Sequence, residues 1–165
     1  MGFFTKNEKN KISYYLASKI NVKFVCLKKL FIELENNEKS LLIGIVSDEN
    51  MVRIVWLLNQ TMTYNLSRNN DIVLENQTGK AETRFAKFDF EDLENHLTFT
   101  FFNNKDGKQF LIAELKKIDY FLSIRGGIEF INIAKLLKKM KSINEIRLVT
   151  EIDQSKLKSN LSLLL

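Results

Sequence analysis

Two short segments, RFAKFDF at 84–90 and HLTFTFF at 96–102, constrain this chain most. In both, apolar and polar residues alternate. Phe88 and Phe90 fall on one face of the first; Leu97, Phe99 and Phe101 fall on one face of the second. A period of two is that of a strand, where successive side chains point to opposite faces. Facing aromatic rows are the pairs by which antiparallel neighbours stabilise each other. The joining residues, EDLEN, are few and polar. The middle of the chain therefore reads as an antiparallel meander.

Other elements follow from the same reading. LLIGIV at 41–46 is a short buried strand. Ser47 precedes Asp48 and Glu49, a helix cap followed by acids that suit the first turn. Met51, Val55 and Leu58 recur at helical spacing, with Val52 and Trp56 beside them, and predict a helix ending near Gln60. TYNLSRNNDIVLEN reads as a strand with a polar interruption, QTGKAE as a turn, and NNKDGK as a hairpin turn with its Asp-Gly pair. In IDYFLSI, Ile118, Tyr120, Leu122 and Ile124 point one way; Asp119, Phe121 and Ser123 point the other. Gly126 and Gly127 end that strand. A second helix follows. Phe130, Ile133, Ala134, Leu137 and Met140 make its apolar stripe, and Lys135, Lys138, Lys139 and Lys141 lie off it. NEIRLVTEI is a last strand, and a further one is predicted near 30–34.

Strand, helix and strand thus occur twice, at 41–75 and 118–152, around the meander. The expected fold is α+β: a single domain with a mixed, mostly antiparallel sheet and two main helices packed on one face. Residues 29–165 form this domain, and 1–28 are a poorly ordered or partly helical N-terminal extension.

Composition removes some function classes. The chain of 165 residues suffices for one substantial core. No apolar run is long enough to span a bilayer, so no membrane association is expected. The N-terminus lacks the apolar stretch and cleavage site of a secretory signal. One cysteine, Cys26, cannot form an internal disulfide, which fits a reducing cytoplasm. Cys26 and the lone histidine, His96, cannot supply a structural zinc site. No metal or cofactor is expected. The net charge of +5 means little in a chain with twenty lysines, five arginines and no proline, a pattern of genome composition. Its distribution says more. The basic excess lies at 1–20 and 105–165, and 61–104 is acidic.

IAELKKIDY at 112–120 resembles the signature of the IPExxxVDY family of small uncharacterised bacterial proteins. Ile112, Glu114, Asp119 and Tyr120 match; Ala113 replaces the proline and Ile118 the valine. LLIGIVS, RIVWLLN, DYFLSIRG and EIDQSKLKS resemble the family's other recurring segments, so the resemblance covers about 29–165. It implies a cytoplasmic single domain without an assigned activity.

Three functional readings remain. The first is a non-enzymatic protein-binding or adaptor domain that uses its sheet and edge, with an unidentified protein partner or a second copy as a homodimer. Its candidate surface is Arg53, Trp56 and Asn59, spaced three apart on the first helix, together with Glu114, Asp119 and Tyr120. The second is RNA binding through Lys135, Lys138 and Lys139 and the tail lysines Lys156 and Lys158, a patch without interleaved aromatics. The third is an enzyme using Glu114 and Asp119 as an acid–base pair. No nucleophile–base pair or nucleotide loop accompanies them, and no residue is assigned as catalytic.

Overall fold

The two phenylalanine rows meet inside the sheet, on neighbouring strands. They form β3 (Glu82–Asp92) and β4 (Leu97–Asn103), paired antiparallel with Phe88 opposite Phe101 and Phe90 opposite Phe99. The computed structural model describes residues 40–75 and 82–157, all within one compact unit, Lys39–Leu165. The strand near 30–34, the extension 1–28, Cys26, most of the turn QTGKAE and Lys158 lie outside the described residues.

The remaining elements are β1 (Ser40–Val46), α1 (Met51–Met62), β2 (Ser67–Glu75), β5 (Lys105–Asp106), β6 (Gln109–Phe110), β7 (Tyr120–Gly126), α2 (Ile133–Lys141) and β8 (Leu148–Ile152). Six strands form one sheet in the order β2-β3-β4-β7-β1-β8, and β5 and β6 form a separate hairpin. The fold is α+β, with a mostly antiparallel sheet and both helices on one face. Every ladder described is antiparallel. β1 and β2 run the same way, but three strands lie between them; β7 and β8 run the same way, with β1 between. Each helix therefore crosses over intervening strands, and neither crossover closes a parallel ladder. The two connections travel in opposite directions across the sheet from oppositely directed strands, so they share one hand.

Both sheet faces are apolar. On the helix face, Ile43, Ile45, Phe101, Leu122 and Ile124 pack against Ile54, Leu58, Leu136 and Met140. Burying each such side chain contributes about 1.5–3 kcal/mol. Tyr64 joins this layer, its ring 4.4 Å from that of Phe99 and 5.5 Å from that of Phe90. On the other face, Leu42, Phe85, Phe102 and Phe121 cluster with Leu111, Ile112 and Ile118. Ile118 thus lies opposite to Tyr120 rather than beside it. The strand begins only at Tyr120, and alternation does not reach back to 118.

The helix starts differ from the sequence reading for a local reason. Asn50, not Ser47, caps α1: its Oδ1 accepts from the Arg53 backbone N at 2.9 Å. The Ser47 hydroxyl is engaged elsewhere, donating to the Glu145 carbonyl at 2.7 Å and accepting from the Glu49 N–H at 3.1 Å. Asp48 and Glu49 consequently lie ahead of the helix, whose first turn holds no acid. Asn132 caps α2 in the same manner. Phe130 falls before that cap, in a 3-10 turn at Ile128–Phe130, and is 70% exposed; Leu136 takes the buried position and Ala134 faces solvent. The polar interruption of β2 is a register shift between Asn69 and Ile72. Gly126 ends β7 at φ +95, where an added Cβ would stand 2.0 Å from the His96 carbonyl oxygen.

Candidate functional site

The signature-like segment is built around Asn104, which is fully buried at the end of β4. Its side-chain amide donates to the carbonyls of Leu115 and Ile118, each at 2.9 Å. Its side-chain oxygen accepts from the Ile112 N–H at 2.8 Å. Its backbone N–H donates to the Asp119 carbonyl and its carbonyl accepts from Leu111. One side chain thus folds 111–119 over the second sheet face and buries Ile112 and Ile118. Glu114 is left exposed in a 3-10 turn, Ala113–Leu115. Ala113 is the first residue of that turn, a position where proline is at home.

Asp119 and Tyr120 reach the connection between β1 and α1. Asp119 Oδ2 accepts from the Ser47 N–H at 3.1 Å, and the Asp119 N–H donates to the Ile45 carbonyl at 3.0 Å. The Tyr120 hydroxyl donates to the Glu49 carbonyl at 2.6 Å, and its ring stacks on Phe101 with centroids 5.5 Å apart. Burial, then the charges of Asp119 and Glu49, push the Tyr120 hydroxyl above its ordinary pKa. This pair fixes residues 47–49 against the end of the sheet. The structure gives Glu114 and Asp119 different surroundings, an exposed turn and a backbone clamp. An open groove of about 530 Å³, lined by Ser40, Leu42, Glu151, Ile152 and Gln154 among others, includes neither of them.

On α1 the expected trio divides. The Arg53 guanidinium lies 4.7 Å from the centre of the Trp56 ring, and its Nη2 donates to Glu145 Oε1 at 3.2 Å. Trp56 is 51% exposed and Val52, one turn earlier, 68%. Asn59 is half-buried and holds the turn after the helix: its amide nitrogen donates to the Leu66 carbonyl at 3.1 Å, and its oxygen accepts from the Leu66 N–H at 2.9 Å. Arg53, Trp56 and Val52 therefore form a surface, and Asn59 supports it from within.

The lysines also divide. Lys135, Lys138 and Lys139 are exposed on α2, and among the described residues no carboxylate pairs with them. Lys138, Lys139 and Lys141 sit in the last turn, where the helix dipole favours cations. Lys156 instead pairs with Asp153 at 2.9 Å. Hydrogen bonding from Ser155 first, and from Lys156 next, holds the Asp153 carboxyl down at about 2. α1 and α2 together carry Arg53 and these four lysines and no acid.

Sequence reasoning missed Asn104, Glu145 and the exposure of Val52, and gave Ser47 the wrong role. Asn104 looked like one more turn residue in NNKDGK, and nothing local marks it as buried. Glu145 meets Arg53 only through the tertiary fold.

Among the described residues, no three or more His, Cys, Asp or Glu side chains converge as a metal set. No helix among them is long and apolar enough to cross a membrane. No protein-family model, no curated protein and no solved structure matches this chain.

Proposed function

We propose that this chain is a binding module, not an enzyme, and that the outer face of its two helices docks an acidic segment of another protein. The observation that carries this is Trp56, half exposed with Arg53 stacked over it, on two helices that hold five cations and no acid of their own, Arg53 being paired with Glu145 from the turn after α2. Tryptophan and arginine are enriched among the residues that dominate protein interfaces. The excess of cations, above all the four lysines of α2, selects and steers a partner of the opposite sign. Val52 extends the apolar ledge by one turn. Asp119, Tyr120 and Asn59 serve this reading as supports, since they fix the two ends of α1. Membership of the IPExxxVDY family is part of the same proposal. It is supported by the residues of 112–120 and by LLIGIVS, RIVWLLN, DYFLSIRG and EIDQSKLKS, with Ala113 in a place that accepts proline.

The test is capture from the native cell with the tagged protein, with and without nuclease. Three baits are compared: the parent, Trp56→Ala, and Lys135→Glu with Lys138→Glu and Lys139→Glu. The expected result is a protein held by the parent after nuclease, lost by both variants, released by salt, and cross-linked through an acidic segment. Loss of all partners on nuclease treatment would favour RNA as the ligand of the same lysines.

A further inference from the structure

The two edges of the sheet are unlike. β2 carries the register shift between Asn69 and Ile72, the Arg68–Asp71 ion pair and exposed polar residues at 67–70. Such features keep an edge from pairing with another chain. β8 has no register shift and, among the described residues, no ion pair; Glu151 is its one exposed polar residue. It pairs with β1 in unbroken register over all five residues, LVTEI, and holds no lysine, proline or bulge.

We propose that β8 pairs antiparallel with β8 of a second copy of this chain, about a two-fold axis at Thr150, to make one sheet of twelve strands. The strand complements itself in that register. Thr150 meets Thr150, a favourable cross-strand pair. Leu148 meets Ile152, and Val149 meets Glu151, so the only charge in the strand never opposes itself. One step beyond the strand the symmetry sets Arg147 facing Asp153; within one copy these pair with Asp48 and Lys156, so the facing charges would exchange or share partners. Leu148 is 49% exposed, and Ile152 packs against the second core cluster. Pairing would continue that apolar cluster across the axis.

The geometry has a consequence for binding. A two-fold axis perpendicular to the sheet leaves α1 and α2 of both copies on the same face. Two Trp56 surfaces then point the same way, as a bivalent contact requires. The dimer itself stands independently of the acidic partner proposed above.

The test uses the full chain in sedimentation equilibrium from about 1 to 200 µM, the range of small edge interfaces. The expected mass rises from one copy toward two. Leu148→Lys is expected to weaken association at least about tenfold, and Val73→Lys on β2 to leave it unchanged. Thr150→Cys is expected to cross-link on oxidation, above the level set by the parent with its Cys26, because facing strand residues lie within disulfide reach. A monomer throughout overturns the proposal. So does a dimer that Leu148→Lys leaves intact or that Thr150→Cys does not cross-link. The cysteine variant keeps the test decisive if the lysine variant fails to fold.

Discussion

The Tyr120 hydroxyl donates to the Glu49 backbone carbonyl at 2.6 Å, tying the start of β7 to residues just before α1. Beside it, Asp119 accepts from the Ser47 N–H. The two residues that end the signature-like segment therefore set where α1 begins, and with it the position of Arg53 and Trp56.

Removing the hydroxyl leaves the Glu49 carbonyl without this partner. Tyr120→Phe is expected to lower stability by about 1 kcal/mol, the net worth of one such bond. Denaturant melts of parent and variant measure it, and an unchanged midpoint would mean the bond contributes nothing.

Asn104 matters more, because its amide is fully buried and makes three side-chain hydrogen bonds. Asn104→Ala strands two carbonyls and one N–H away from water. A loss of about 3 kcal/mol or more is expected, together with faster proteolysis within 105–118. Native-state hydrogen exchange at Ile112 would show the same opening.

Ala113 opens a 3-10 turn after Ile112, which is extended at φ −114 and ψ 93. Proline needs an extended residue before it and a φ near that of a helical turn. Ala113→Pro is therefore expected to raise stability by about 0.5 kcal/mol by restricting the unfolded chain. A lower melting temperature would show that the turn needs the alanine N–H.

Burial, and secondarily the charge of Asp92, push the Tyr64 hydroxyl from 10.0 up to about 12. Above about pH 10 the unfolded chain loses this proton before the folded one does. The contribution is whole below that pH and is lost as pH rises through the folded value. Between about pH 10 and pH 12, the parent is expected to lose stability more steeply than Tyr64→Phe. Equal slopes in denaturant melts would contradict the shift.

The parts legible in the sequence were those set by local period. The alternation of Phe88, Phe90, Phe99 and Phe101 gave two strands and their shared face, and Met51, Val55 and Leu58 gave the first helix. The parts that were not legible depend on residues far apart. Ser47 looks like a cap until Glu145, nearly a hundred positions away, takes its hydroxyl. Two strand–helix–strand units suggest parallel pairs, but only the completed sheet reveals the strands that lie between. Asn104 is a turn residue by type and a buried hub by position. At the candidate surface, Arg53 and Trp56 could be paired from helical spacing. Asn59 shared that spacing but faces Leu66 instead.

The central claim concerns position 56, and a photoreactive benzoylphenylalanine replacing Trp56 in the native cell tests it most directly. The account predicts a cross-link to a protein through an acidic segment. The same probe at Leu93, 78% exposed in the turn after β3, should give none. No adduct at position 56, or adducts to RNA alone, would contradict it.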